Sequence, residues 1–146
     1  MDITLHEKYK HVHFTDEQCD LFATLLDTEP LHKEVMYFIV SEFLNNTPAT
    51  IKSITENIRV ERKVGVKNKR KTSIIKFDVQ MDFISRKMAE SIVKQLAFSS
   101  LVFVEMLAPY KFIKPTTRGA EVCMLLQERD NQRAVDLPSN GESVKE

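Results

Sequence analysis

The sequence has no tryptophan, three glycines, five prolines and two cysteines, and each shortage narrows the functions open to it. With so few glycines, a loop that cradles phosphates is hard to build, and no nucleophile motif or recognisable carboxylate pair is present. Cys19 and Cys123 have neither a metal-ligand spacing nor a disulfide framework, so we expect small buried residues. His11 and His13 are spaced to share a metal, but no third ligand is visible, which favours surface histidines. We therefore expect no enzyme, no cofactor and no metal site.

Long hydrophobic runs are missing as well. No segment approaches the about 18 consecutive apolar residues of a membrane span, and the N-terminus lacks the apolar core of a signal peptide. We therefore expect a cytoplasmic protein that makes no membrane contact. A chain of 146 residues, 42% apolar and 29% charged, is long enough for one domain with a buried core. Several helical patterns and the scarcity of glycine and proline predict a mainly α fold.

The net charge is zero, but the charges are distributed unevenly along the chain. Between Arg59 and Asp78, eight cations less the two carboxylates of Glu61 and Asp78 give +6, which leaves −6 for the remaining residues. The eight cations are Arg59, Arg62, Lys63, Lys67, Lys69, Arg70, Lys71 and Lys76. A local field of this sign attracts a phosphate backbone, which favours nucleic-acid binding. The alternative is a solvated loop that is basic for solubility.

A helix with one apolar face and one cationic face is predicted over residues 84–98. Its apolar stripe at helical spacing comprises Ile84, Met88, Ala89, Ile92, Val93 and Leu96. The polar, mostly cationic face comprises Ser85, Arg86, Lys87, Glu90, Ser91 and Lys94. Next come a β-rich run over 101–107, a turn containing Pro109, and a second run over 110–113. Thr116 then caps a final helix.

The order of these residues resembles the winged helix-turn-helix regulators of the MarR-like type. In that family the recognition helix ends in a leucine, and a three-residue turn, a glycine and a Leu-Val step lead into the wing hairpin. The second wing strand then runs into a T-x-x-G helix start. Here Leu96, the turn 97–99, the step 101–102 and the motif 116–119 occupy those places without a gap. Ser100 stands where the family usually has glycine, and roughly two dozen residues separate the recognition helix from the helix before it.

The resemblance implies a winged helix-turn-helix with extra dimerisation helices, and the residue pattern adds a basic hairpin or arm inserted into it. The fold class is thus mainly α with a small β wing (α+β). We expect an N-terminal arm over 1–14, the winged-helix domain over 15–129 with the insertion at 59–79, and a disordered tail over 130–146. The insertion is rich in alternating β-branched residues, which favours a hairpin, although a disordered loop would carry the same charge.

Three helices are expected before the insertion and one after the wing. Thr15 caps the first helix. Its buried face is expected to comprise Leu21, Phe22, Leu25 and Leu26. The second, over about 31–45, is apolar nearly all round and must be covered by the first helix or by a partner subunit. The third runs over about 48–58 with Thr47 as its cap, and the last covers about 117–128.

The expected function is sequence-specific binding of double-stranded DNA by a homodimeric transcriptional regulator. The helix over 84–98 would enter the major groove with its cationic face, because arginine and lysine recognise guanine edges there. The basic insertion and Lys111 on the wing would grip phosphates or enter the minor groove. A plasmid or phage replication or partition protein could use the same fold. A winged-helix module that binds a protein partner is the alternative from another class.

Overall fold

The computed structural model describes residues 8–67 and 74–136, and for residues 62–67, 74–80 and 136 it describes the backbone alone. The described residues form five helices and two antiparallel hairpins. In chain order these elements are α1 (Asp16–Asp27), α2 (Pro30–Leu44), α3 (Ile51–Asn57), β1 (Arg59–Lys67), β2 (Ile74–Phe83), α4 (Arg86–Phe98), β3 (Val102–Leu107), β4 (Tyr110–Pro115) and α5 (Thr117–Asp136). The expected class, helices with small β hairpins, is confirmed.

α1 begins as predicted, but it buries a different face. The Thr15 hydroxyl accepts from the Gln18 N–H at 3.2 Å, and the Gln18 amide oxygen accepts from the Thr15 N–H at 3.0 Å, which completes a capping box. Of the four residues expected inside, only Leu26 is buried and Phe22 is half-buried, whereas Leu21 and Leu25 are exposed. The prediction was wrong for these two because α1 packs on α2 and α5 through another part of its circumference.

α2 is covered mainly by elements of its own chain. Val35, Met36 and Ile39 are buried, and the helix packs against α1, α4, β4 and α5. Contacts on so many sides explain why its sequence is apolar nearly all round. Only its last turn leaves large apolar side chains, Phe43 and Leu44, exposed.

α3 starts three residues later than predicted, because a long-range bridge occupies the chain before it. The Ile113 N–H in β4 donates to the Ala49 carbonyl at 2.8 Å, which holds Ala49 in an isolated antiparallel bridge. Thr50 rather than Thr47 is therefore the cap, and its hydroxyl accepts from the Ser53 N–H at 3.0 Å.

The basic insertion is a hairpin in its described part. β1 and β2 pair antiparallel from Arg59 opposite Phe83 to Lys67 opposite Ile74, so β2 runs four residues beyond the predicted end of the insertion. At the base, the buried Ile84 donates its N–H to the Ile58 carbonyl at 2.9 Å. Residues 68–73 lie outside the described part of the chain.

α4 lies close to its predicted limits. Ser85 is the N-cap, and its hydroxyl accepts from the Met88 N–H at 3.1 Å. The buried side chains around the helix are Ile84, Ala89, Ile92, Val93, Leu96 and Ala97. Met88, expected in the apolar stripe, is 44% exposed, because the stripe is centred on Ala89, Ile92 and Leu96.

α5 is longer than predicted and includes the start of the expected tail. It runs to Asp136, because ion pairs hold its second half: the Lys33 Nζ donates to Asp130 at 3.0 Å, and Arg133 pairs with Asp27. Hydrogen bonds from Arg133 and Lys33 hold the pKa of Asp27 at about 2. The prediction of disorder was wrong for residues 130–136, and residues 137–146 lie outside the described part.

Residues 8–14 are bonded to the domain rather than forming a free arm. The Lys10 carbonyl accepts from the Thr117 N–H at 2.9 Å, and the Phe14 ring stacks on Phe22 at 4.8 Å between centroids. His11 and His13 are exposed, as expected.

The hairpin β3–β4 is anchored where α4, β3 and the first turn of α5 meet. Ser100 has a φ of 63°, the left-handed conformation that favours glycine, at the place where the family resemblance expects one. The Thr116 hydroxyl donates to the Ser100 carbonyl at 2.7 Å and accepts from the Gly119 N–H at 3.0 Å. A Cβ on Gly119 would lie 2.0 Å from the Leu101 carbonyl oxygen and 2.7 Å from Cε of Met36. Gly119 therefore permits the first turn of α5 to lie against the backbone of Leu101, the residue before β3.

Replacing Gly119 with alanine should destabilise the fold. The added methyl group overlaps a backbone oxygen that cannot move without displacing β3, so Gly119→Ala should lower the free energy of unfolding by about 1–3 kcal/mol. Urea denaturation followed by circular dichroism measures this. Ala120→Ser, the control one residue later, should cost less than about 1 kcal/mol. An unchanged midpoint for Gly119→Ala would contradict the close approach.

Candidate nucleic-acid interface

All six side chains expected on the reading face of α4 are exposed, but three of them already have local partners. The exposed residues are Ser85, Arg86, Lys87, Glu90, Ser91 and Lys94. Ser85 caps the helix, and the Arg86 Nε donates to the Glu90 carboxylate at 3.1 Å one turn later. In water such an exposed pair is worth less than about 1 kcal/mol. Arg86 can therefore exchange Glu90 for a ligand at little cost.

A groove of about 380 Å³ separates α4 from the β3–β4 hairpin and brings four of the predicted residues together. Arg86, Glu90 and Lys94 line it from α4, and Lys111 lines it from the hairpin. Its apolar lining comprises Ile51, Val93, Ala97, Val104, Met106 and Ile113. Cations on both sides of one groove are suited to hold a chain of phosphates between them.

Lys87 and Ser91 lie outside the groove on the outer surface of α4. Together with Lys94 they occupy positions i, i+4 and i+7, which share one face of a helix. These three exposed side chains therefore form a stripe alongside the groove. The sequence pattern identified this face, but it did not separate the stripe from the residues that line the groove.

The basic insertion joins the structure next to the first turn of α4. The exposed Arg59 guanidinium lies 4.6 Å from the Phe83 ring centroid, three residues before Arg86. Arg62, Lys63, Lys67 and Lys76 belong to the paired strands, where the backbone alone is described. Lys69, Arg70 and Lys71 lie outside the described residues, so their role stays a prediction.

Carboxylates concentrate on a different surface. A groove of about 590 Å³ between α1 and α5 is lined by Asp16, Glu17, Asp20, Glu121 and Glu128. None of these residues lines the groove beside α4. The two grooves therefore differ in charge: five carboxylates line one, whereas three cations and Glu90 line the other.

The hydrophobic pattern of the sequence did not reveal that the apolar end of the β3–β4 hairpin is exposed. Met106, Leu107 and Tyr110 are 51%, 53% and 60% exposed. A run of apolar residues on either side of a turn predicts strands, but it does not tell which part of them reaches beyond the domain. The sequence signal that could have revealed this apolar end is the segment 106–110, in which five consecutive residues carry no charge.

Three further features of the described residues bear on other kinds of site. Burial raises the pKa of the Cys123 thiol to about 12, which keeps it protonated and unreactive. Within residues 8–67 and 74–136, no three His, Cys, Asp or Glu side chains are grouped as a metal site would require. No helix in that part of the chain combines the length and apolar character that crossing a membrane demands.

Comparison with known proteins leaves the family open. No family model, no curated protein and no solved structure matches the chain, so its resemblance to the winged helix-turn-helix regulators stays a prediction.

Proposed function

We propose that the protein binds double-stranded DNA with sequence specificity and acts as a homodimeric transcriptional regulator. The observation that carries the proposal is the groove with Arg86 and Lys94 on one side and Lys111 on the other. These cations stand on two separate elements around one groove with an apolar lining, and among the described residues only Arg86 has an ion-pair partner, the exposed Glu90. They suit a polyanion that follows the groove.

In this proposal α4 enters the major groove. That groove is wide enough for an α-helix and presents a distinct pattern of donors and acceptors for each base pair. The N-terminal residues of a recognition helix reach base edges, which assigns this task to Arg86 and Lys87. Lys94, a further two turns along, and Lys111 then lie beside the phosphates that flank the groove.

The arrangement of elements around α4 supports a winged helix-turn-helix. α3 packs against α4, and the β3–β4 hairpin follows α4 after three residues. The bridge between Ile113 and Ala49 ties the hairpin back to the chain just before α3. In this arrangement α3 and α4 would form the helix pair, and the β3–β4 hairpin would be the wing. α4 would then be the helix that contacts the bases, with the wing beside it.

The exposed leucines of α1 support the homodimer. Leu21 and Leu25 are one turn apart on a surface that neither α2 nor α5 covers. A partner subunit that buries both would remove this apolar stripe from water at about 25 cal/mol per Å². Two copies related by a two-fold axis would also present two copies of α4 to two half-sites of one duplex.

Replication or partition of a plasmid or phage would use the same DNA contacts, so these roles are alternatives within the proposal. The exposed hairpin end is the observation that favours a protein-interaction module instead. Salt dependence distinguishes the two classes, because phosphate contacts release counterions and an apolar protein interface does not.

Selection from a pool of random duplexes tests the proposal. We expect recovery of a motif with two-fold symmetry, which reports both DNA binding and dimerisation. The affinity for that motif should fall steeply between low and physiological salt, with a slope of about −0.9 in log–log form for each phosphate neutralised. No enrichment of any sequence, together with no binding at low salt, would reject the proposal.

Arg86 should carry base discrimination. A bidentate contact to guanine is worth about 1–3 kcal/mol, so Arg86→Ala should cost that much on the selected duplex and much less on random DNA. Arg133→Ala is the matched control, since Arg133 is likewise exposed and paired with a carboxylate, but on α5. Because that pair also holds the second half of α5, circular dichroism checks that the control variant is folded. It should leave the ratio of the two affinities unchanged. Equal losses on both duplexes would make Arg86 a phosphate contact.

The basic insertion should contribute affinity without specificity. Alanine at Lys67, Lys69, Arg70 and Lys71 should weaken every duplex alike and reduce the salt slope by up to about 0.9 for each phosphate that is no longer neutralised. Arginine at the three lysine positions preserves the charge and should preserve the slope. If the alanine variant keeps both affinity and slope, the insertion is a solvated hairpin that touches no DNA.

A further inference from the structure

The β1–β2 hairpin has an apolar row along one of its two faces. Every second residue of a strand lies on the same face, and residues opposite each other in an antiparallel pair share that face. In β2 the residues of one face are all apolar, and we define this apolar row as Phe77, Val79, Met81 and Phe83. The β1 residues opposite the row are Gly65, Lys63, Glu61 and Arg59.

The base of the hairpin shows which of the two faces its own chain covers. Met81 and Phe83 are 55% and 52% exposed, and Arg59 and Glu61 opposite them are exposed as well. Val60, on the other face, is half-buried and packs against the core. The apolar row therefore begins on the face that is turned away from the domain.

This row calls for a partner. A two-stranded hairpin is only marginally stable in water until a further element packs against its apolar face. α3 packs against β2 at the base of the hairpin, yet Met81 and Phe83 stay exposed there. Since the segment from 59 to 78 also carries a charge of +6, the partner must offer apolar side chains beside negative charge.

The groove between α1 and α5 offers that combination. Its volume is about 590 Å³, and five carboxylates line it together with the apolar side chains of Cys19, Met124 and Leu125. Met124 is 62% exposed and Leu125 is half-buried, so both can gain from being covered. Charge and apolar character in the groove thus match those of the hairpin.

We propose that the β1–β2 hairpin of one copy places its apolar row in the groove between α1 and α5 of a second copy, and that the two copies exchange hairpins. The inference rests on the homodimer of the proposed function, but not on its DNA contacts. Strands of nine and ten residues are about 30 Å long, which is enough to reach a neighbouring subunit. The exchange also places α1, with its exposed Leu21 and Leu25, at the interface.

The same observations disfavour other occupants of the two surfaces. Within one copy, no described residue of β1 or β2 lines the groove between α1 and α5. Phosphates of DNA match the cations of the hairpin, but they offer no apolar surface to the row. Two rows packed on each other would bring Arg59 and Lys63 of both hairpins together, and these cations repel. Arg62 and Lys76 occupy register positions on the opposite face, so the exchange leaves them to DNA phosphates.

Sedimentation equilibrium without DNA tests the exchange with one variant of each surface. Met81→Ser/Phe83→Ser makes the row polar, and Glu17→Lys/Glu128→Lys reverses two charges of the groove. All four side chains are exposed, so we expect both variants to fold, which circular dichroism checks. Each variant by itself loses both contacts of the exchanged dimer, so its dimer dissociation constant should rise at least about tenfold.

An equimolar mixture of the two variants is the decisive sample. The row variant keeps an intact groove, and the groove variant keeps an intact hairpin, so a mixed dimer regains one of the two contacts. With a fluorophore on one variant, the mixture should therefore show a dimer that is tighter than that of either variant alone and weaker than that of the wild type.

Two control variants make matched changes elsewhere. Met106→Ser/Leu107→Ser makes polar an equally exposed apolar pair on the other hairpin. Glu34→Lys/Glu56→Lys changes the charge by the same amount at exposed positions outside the groove. Both controls should dimerise as the wild type does, and a tenfold loss in either would overturn the assignment of the two surfaces.

The remaining outcomes separate the exchange from the function on which it rests. If the wild type is a dimer and both folded variants dimerise equally well, the exchange is overturned while the homodimer stands. If only the row variant is weakened, the row packs elsewhere, and the exchange is again overturned. A wild type that stays monomeric at micromolar concentration would overturn both the exchange and the homodimer, whereas selection of duplexes tests DNA binding separately.

Discussion

The contact between the first turn of α5 and the backbone of Leu101 is the constraint on which the arrangement of this protein depends. It is possible only because Gly119 has no side chain there. Leu101 immediately precedes β3, and Thr116 immediately follows β4. Since the Thr116 hydroxyl bonds the Ser100 carbonyl, both ends of the hairpin are fastened at one point. The contact therefore fixes where the hairpin stands relative to α4, and with it the width of the groove between them.

Separation of charge within a neutral chain is the second feature that matters for function. Five carboxylates line the groove between α1 and α5, and the cations Arg86, Lys94 and Lys111 line a separate groove between α4 and the β3–β4 hairpin. Zero net charge limits attraction to any polyanion at long range, while the local cations act within about 10 Å of the surface. If the protein binds DNA as proposed, it would discriminate by the fit of its groove rather than by its net charge.

Local signals predicted much of the fold, and long-range contacts account for what they missed. The capping box at Thr15 and the stripe of α4 depend on residues within a few positions of each other, so the pattern sufficed. The start of α3 depends on a bond from Ile113 to Ala49, and the second half of α5 depends on ion pairs with Lys33 and Asp27. Partners so far away in sequence leave no trace in a local pattern.

The same division holds for the candidate site. Helical spacing placed Arg86, Lys87 and Lys94 on one exposed face, because the side opposite an apolar stripe is set by geometry alone. It did not foresee that Glu90 pairs with Arg86 or that Lys111 stands across a groove from Lys94, since both depend on side-chain and hairpin positions. Periodicity also predicted Leu21 and Leu25 as buried. It identifies an apolar side chain but does not say whether the chain itself or a partner covers it.

The central claim is that the surface shared by α4 and the β3–β4 hairpin contacts DNA. It is tested by mapping which backbone amides of the protein respond when a duplex binds. The measurement is the change in amide chemical shifts by nuclear magnetic resonance as the selected duplex is added to isotope-labelled protein. We predict the largest changes over Arg86–Phe98 and at the hairpin end around Lys111, with smaller ones at the base of β1–β2 and little change along the acidic groove between α1 and α5. Changes centred on that acidic groove, or none along α4, would contradict the account.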